Sequence, residues 1–506
     1  MTPMNTIVSG RWNSKLLDLA AVGLIAAGVL GLLVVVLRWL WTFTVDDAYI
    51  TFRYAENLAT GVGLTFNRLL PHAEGYTSVL WTVLMAIPHL FGWPVVLTAK
   101  CVGVAFTLIT VATIPAAVIL AGKSEPASRS AKVAGATIAA CLYLSFPFCG
   151  IHAVSGMETA LAAFLYALVV LLQSYRKGWA TPFACFLLGL TRPEANIFCV
   201  LTLGTMLFAQ GGSDRGKFVI RCLAFYVVPG AAYLVWRWNY YGLLFPLPFY
   251  IKSGHFGLEG LEPAKWFAAT LAVGFTLPLL LALAFAPRMA VSRLVPILGV
   301  SAYLLTVNHV MGYGIRYFYT LVPALSVLGG IGIVRFLSVL PPAVVERTRA
   351  VVLAMMASAL VAGFFAARTD VAEHLGYAQG LERAHVLLGR TLAAVPWQVK
   401  DPVLVIGDAG AVPYFSRMTT VDLLGLNDPF VATHFHEDRS NYVLSRRPAV
   451  VAVISTRADS FVAPVTDRAD GPLAFYDKLR KPFYDTLRKN GWDQEAVFAF
   501  AKTYYL

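Results

Sequence analysis

Two adjacent carboxylates, Asp46 and Asp47, open a polar stretch that reads Asp46-Asp47-Ala48-Tyr49-Ile50-Thr51-Phe52-Arg53-Tyr54-Ala55-Glu56-Asn57-Leu58. One carboxylate of such a pair can take the proton of a reacting hydroxyl while its neighbour orients the acceptor or holds a cation. Asp residues at a helix start also cap it, complementing the dipole and satisfying free amides. On residue type alone both roles stand. If the stretch is helical, Asp46, Arg53 and Asn57 share one face at offsets of seven and eleven, with Asp47 and Tyr54 on the adjoining stripe.

Other polar residues are scattered more thinly. Gly61-Val62-Gly63 permits tight turns, and in Glu74-Gly75-Tyr76-Thr77 followed by Trp81 the two aromatics either anchor at a membrane interface or stack on a sugar. Glu158 opens an apolar run, where it either caps a helix or binds substrate. Arg192 and Glu194 flank Pro193 between two short apolar stretches, and charges at membrane depth are tolerated only when paired or lining a wet cavity. They form either a structural ion pair or part of a site. Gly407-Asp408-Ala409-Gly410 resembles a turn into a helix N-terminus, which either binds an anion or only closes a turn. No histidine pair, His72 and His309 included, has metal-ligand spacing, and the six cysteines all precede Val227 in no paired pattern. A disulfide-stapled secreted fold is excluded, and there is no Walker-type loop or dinucleotide fingerprint.

The elements that must carry these residues are membrane helices. Of 506 residues 58% are apolar and only 13% charged, with a mean hydropathy of +0.67, too greasy for a soluble enzyme of this length. The net charge of +12 sits entirely before about residue 367, after which acidic and basic side chains are equal in number. Such an excess marks cytoplasmic loops rather than a nucleic-acid partner. Apolar runs near Leu16 to Phe43, Pro94 to Ala121, Val133 to Phe148, Thr159 to Leu172, Trp179 to Leu190, Ala195 to Gln210, Phe218 to Trp238, Trp266 to Phe285, Leu294 to Val307, Phe318 to Phe336 and Val351 to Ala366 give about eleven spans. Placing the basic loops, such as Lys123/Arg129/Lys132 and Arg288/Arg293, in the cytoplasm makes Tyr76 to Trp93 a juxtamembrane helix. It also puts the N-terminus inside and the C-terminus outside. Residues 1–366 form the membrane domain, and 367–506 read as a small outer α/β domain with strand-length runs at Pro402 to Gly407, Ala449 to Ile454 and Thr419 to Leu424.

The ordered string Asp46 to Asn67, Glu74 to Thr77 and Leu80-Trp81 resembles the first outer loop of GT-C membrane glycosyltransferases that use polyprenyl-phosphate sugars. More closely it is similar to the branch of the mycobacterial terminal arabinofuranosyltransferase. Further pieces fit in the same order: Ser155 to Thr159, Thr191 to Glu194, Tyr241 to Pro246 with Phe249 to Lys252, Arg316 to Phe318, Gly407 to Tyr414, and Val421 to Pro429. The outer domain is shorter than in the cell-wall enzyme.

The resemblance implies a GT-C fold in a bacterial inner membrane with an extracytoplasmic site. The activity it implies moves a sugar, D-arabinofuranose, from a lipid-phosphate donor to a glycan, a lipid-linked saccharide or a surface protein such as pilin. Asp46 is then the leading base, assisted by Asp47, and Asp46→Asn should abolish most turnover with modest damage to folding. Arg53, Arg192, Lys252 and Arg316 are candidates for the donor phosphate. Glu74, Tyr76, Trp81, Glu158 and Glu194 are candidates for sugar or acceptor. A cation, if the reaction uses one, is Mg²⁺ or Mn²⁺ on oxygen ligands such as Asp46 or Asp47. The competing class is a lipid-linked sugar transporter or flippase, in which Arg192, Glu194 and the other cations escort a phosphate headgroup.

Overall fold

The computed structural model describes residues 4–452 apart from 70, 122–126, 176–177, 253–257, 259, 310–311 and 435–439. The last part of the expected outer domain, 453–506, lies outside the described residues.

Every apolar run of the sequence falls in a helix, but the lengths differ from the expectation. By length and composition three helices can cross a bilayer among the described residues: Lys15–Leu40, Val95–Ala121 and Asp214–Tyr241. Two bent pairs, Leu261–Gly274 with Thr276–Phe285 at 75° and Tyr313–Tyr319 with Val322–Ser338 at 59°, bring the number to five. Others are short for a 30 Å core, including Arg129–Leu144, Thr159–Tyr175, Ala180–Thr191 and Ala195–Phe208. Hydropathy locates these segments but does not lengthen them. The helix Pro342–Leu381 runs 40 residues, straight through the boundary expected at 366/367, and continues as a π-turn at Glu382–Val386.

Close helix packing sets the core. Arg129–Leu144 and Val322–Ser338 meet so tightly that a Cβ on Gly330 would lie 2.7 Å from the Gly135 carbonyl oxygen. Nearby, the buried hydroxyls of Tyr143 in Arg129–Leu144 and Tyr319, which ends the short helix Arg316–Tyr319, share a 2.8 Å hydrogen bond.

Three breaks in this helical framework aim charged residues inward. Val45 is extended (φ −86°, ψ 142°) and starts the helix Asp46–Ala59. Arg192 is extended (φ −143°, ψ 114°), as the residue before a proline must be, and ends Ala180–Thr191. Gly314 and Ile315 are both left-handed immediately before Arg316.

Beyond the long helix, three parallel strands, β1 (Val403–Ile406), β2 (Thr419–Asp422) and β3 (Val450–Ala452), lie in the order β2-β1-β3. Leu388, Leu392, Leu404, Ile406 and Val412 pack on one face of this sheet, and Val405, Val421, Val443 and Val451 on the other.

Candidate active site

A cavity of about 330 Å³ opens where the three helix breaks converge. Asp47, Glu158, Arg192, Glu194, Arg316 and Tyr317 give it its polar lining. Arg192 donates from Nε to Glu194 at 2.6 Å and from Nη1 to Glu158 at 3.1 Å. The pair proposed as either structural or functional is therefore both an ion pair and a cavity wall. Arg316 reaches Asp47 at 3.5 Å and the Tyr317 hydroxyl at 3.3 Å, both through Nη2. Its Nε and Nη1 are buried with no hydrogen-bond partner among the described residues. The Tyr317 ring lies beneath both guanidinium groups, 4.9 Å from Arg192 and 5.1 Å from Arg316, which holds two cations side by side by cation–π attraction.

The adjacent carboxylates part company here. Asp47, with Ile50 and Thr51 one turn on, faces the cavity. Asp46 turns away: its Oδ1 accepts from the Ala411 N–H at 2.8 Å and its Oδ2 from the Gly410 N–H at 3.1 Å. The turn at Gly407 to Gly410 thus does meet an anion at a helix start, and the anion is the Asp46 side chain of the helix Asp46–Ala59. A Cβ on Gly410 would stand 2.2 Å from Asp46 Oδ2, so the approach requires glycine. In this geometry both Asp46 carboxylate oxygens are engaged by backbone amides, and it is Asp47 that lines the cavity.

Arg53 is likewise engaged by protein oxygens and does not line the cavity. Its Nε donates to the Phe66 carbonyl at 2.8 Å, Nη1 to Pro413 at 2.7 Å, and Nη2 to Met418 at 2.8 Å and to Asn67 Oδ1 at 3.2 Å. Four of its five N–H donors are thus taken by protein oxygens. Asn67 exchanges two hydrogen bonds with the Thr420 backbone, at 2.8 and 2.9 Å, and Glu56 pairs with Arg417 at 2.7 Å. The face of the helix that carries Asp46 and Arg53 is a seam between the first outer loop and the strand-bearing segment.

Of the remaining candidates, Glu74 is buried against Arg237 at 2.5 Å, and Trp81 donates its indole N–H to the Gly156 carbonyl at 3.0 Å. Neither lines the cavity, because each satisfies a buried partner elsewhere. Tyr76 does line it, with its hydroxyl on that of Tyr241 at 2.9 Å. Lys252 ends the short helix Leu247–Lys252, and its side chain lies outside the described part. No cluster of three potential metal ligands occurs among the described residues.

Sequence reasoning missed Tyr317 as the platform for both arginines and Leu426 as a roof residue, since an aromatic and a leucine in a greasy chain carry no special signal. It also missed a second cavity of about 430 Å³ behind the Tyr313–Ile315 turn, bordered by Phe43, Trp266, His374 and Tyr377. The Tyr377 hydroxyl accepts the Asp46 backbone N–H at 3.1 Å, so the start of the Asp46–Ala59 helix stands between the two cavities.

The seam is titratable. Burial, with the charges of Asp408 and Asp47, pushes Asp46 up to about 6, against the opposing pull of His385 and the Ala411 amide. Burial likewise raises Asp422 to about 7 although Asn427 and the Leu424 amide favour its charge. For His385 burial opposes the imidazolium, but the hydrogen bond to Asp408 and the charges of Asp46 and Asp408 outweigh it and lift the group above its usual value. Each group therefore binds its proton more tightly folded than unfolded, so stability falls as pH rises: from about 4 to 6 for Asp46, and from about 6.5 upward for His385. Amides of residues 404–422 should exchange more slowly at about pH 5.5 than at pH 8 after correction for intrinsic rates. Slower exchange at the higher pH would contradict this.

The fold resembles that of ArnT. ArnT from Cupriavidus metallidurans bound to undecaprenyl phosphate superposes with a TM-score of 0.58 at 14% identity, covering 82% of this chain and 88% of that one. Its apo structure gives 0.55 at 15%, covering 82% and 89%. At such identity the likeness is one of fold, and it is the GT-C fold expected from the first outer loop. The narrower likeness to the arabinofuranosyltransferase branch rests on the sequence motifs alone. Residues 377–505 match a family described as a domain of unknown function, DUF8728. No curated protein matches the chain.

Proposed function

We propose that this protein is a multi-pass glycosyltransferase of a bacterial inner membrane, with its N-terminus in the cytoplasm and its site outside. It transfers D-arabinofuranose from a polyprenyl-phosphate donor to an extracytoplasmic glycan, lipid-linked saccharide or surface protein such as pilin. The observation that carries the reading is Arg316: a buried guanidinium with two nitrogens unpartnered among the described residues, beside Asp47, in a fold also found in a protein crystallised with undecaprenyl phosphate. A buried charged donor without an acceptor is costly, and a phosphate oxygen supplies what is missing.

The chemistry follows from the lining. The donor phosphate sits on Arg316, with Arg192 behind it, and the sugar lies toward Glu158, Glu194 and Tyr76. The acceptor's hydroxyl oxygen bonds to the anomeric carbon, the bond from that carbon to the phosphate oxygen breaks, and the electron pair leaves with the phosphate. The hydroxyl proton passes to Asp47. Asp47 lies 3.5 Å from Arg316, so the base stands beside the group that holds the leaving phosphate.

The test uses the full chain in nanodiscs with synthetic polyprenyl-phosphoryl arabinofuranose, following polyprenyl phosphate by mass spectrometry with and without an arabinan acceptor. Acceptor-dependent release is the expected result. Tight donor binding with no release toward any acceptor would replace the enzyme with the transporter.

A further inference from the structure

We propose that His152, buried behind the cavity and touching no lining residue's charged group, is a positioning residue that sets the aim of Arg316. The inference rests on the reading of Arg316 as the phosphate ligand, and it comes from an unusual piece of backbone.

Gly314 (φ +57°, ψ 26°) and Ile315 (φ +47°, ψ 41°) form a left-handed pair directly before Arg316. A β-branched residue in this region is a steric outlier and persists only where its surroundings hold it. The turn divides the two cavities: Tyr313, Gly314 and Ile315 border the second, while Arg316 faces the first. Any relaxation of Ile315 toward right-handed values would redirect the residue that follows it.

The restraint that holds the turn is His152. It lies in the buried helix Cys149–Val154, and its Nε2 bonds the Gly314 carbonyl oxygen at 2.8 Å. A carbonyl can only accept, so Nε2 carries the proton. A Cβ on residue 314 would fall 3.1 Å from His152 Nε2 and 3.2 Å from Phe148 Cβ, so the imidazole fits against this backbone only because residue 314 is glycine. On its other side the ring meets Tyr319 at 4.3 Å between centroids, and Tyr319 is tied to Tyr143 at 2.8 Å. The result is a rigid strut running from the helix-packing core through Tyr143, Tyr319 and His152 to the peptide that aims Arg316.

A double-mutant cycle reads this out through binding of polyprenyl phosphate, with polyprenol as the uncharged control, to the full chain in nanodiscs. His152→Leu removes the donor and is expected to weaken phosphate-dependent binding about tenfold, the scale of one misdirected charge-assisted hydrogen bond. His152→Gln, whose amide N–H can stand where Nε2 stood, should recover affinity to within about threefold. In an Arg316→Ala background His152→Leu should cost nothing further in affinity, although it lowers the thermal midpoint as it does alone. An equal fold-loss in both backgrounds, or unchanged affinity in His152→Leu, would overturn the positioning role while leaving the phosphate reading intact. Affinity that Arg316→Ala leaves untouched would overturn that reading and the positioning role with it.

Discussion

Asp47→Asn is expected to lower turnover by about 10²- to 10⁴-fold, the range of one general base, while the thermal midpoint stays within about 3 °C of wild type. The reason is placement: Asp47 faces the cavity, beside Arg316, and supports no backbone group. Asp46→Asn should behave differently. An asparagine has one acceptor oxygen where the aspartate uses two, so its NH₂ would oppose the Gly410 or Ala411 N–H, at a cost of about 1–3 kcal/mol. Turnover then falls because the strand-bearing segment loosens over the cavity, where Leu426 and Gly75 meet. Steady-state rates paired with hydrogen exchange separate the two roles. Asp47→Asn should lose rate at wild-type protection of residues 407–427, whereas Asp46→Asn should lose both. If Asp47→Asn keeps full rate and Asp46→Asn loses rate at unchanged protection, the base is Asp46 and the assignment here is reversed.

The sequence reveals faces more readily than partners. Helical spacing puts Asp46, Arg53 and Asn57 on one side and Asp47 with Tyr54 on the next, and the helix Asp46–Ala59 keeps that division. What the first face meets is invisible locally, since the Pro413 carbonyl that Arg53 holds lies 360 residues away. A carboxylate and an arginine that contact backbone amides and carbonyls look, as residue types, the same as ones that contact a phosphate. The strand-length runs at Pro402 to Gly407 and Ala449 to Ile454 correspond to β1 and β3 because a buried parallel strand is apolar on both faces. Helix breaks were legible where chemistry marks them, as at Arg192 before Pro193. The left-handed Ile315 was not, because nothing in a β-branched residue announces a conformation it disfavours.

Arg53→Met should cost about 3–5 kcal/mol of stability, the largest single effect expected in the first outer loop. Burial lowers the guanidinium to about 10, so it remains charged at neutral pH, and a charge in that setting is tolerable only while its donors are engaged. They are engaged by the carbonyls of Phe66, Pro413 and Met418 and by Asn67 Oδ1, with the Phe66 ring 4.3 Å from the guanidinium carbon. Methionine fills much of the volume and satisfies none of these oxygens. Arg53→Lys keeps the charge but not the planar fork, so it should regain less than roughly half of the loss. Differential scanning calorimetry gives the magnitude, and exchange at residues 411–420 shows where it falls. Were Arg53 instead a ligand of the donor phosphate, Arg53→Met would weaken polyprenyl phosphate binding with stability and exchange unchanged. The geometry predicts the opposite pattern, in which the seam opens first and any loss of affinity follows from it.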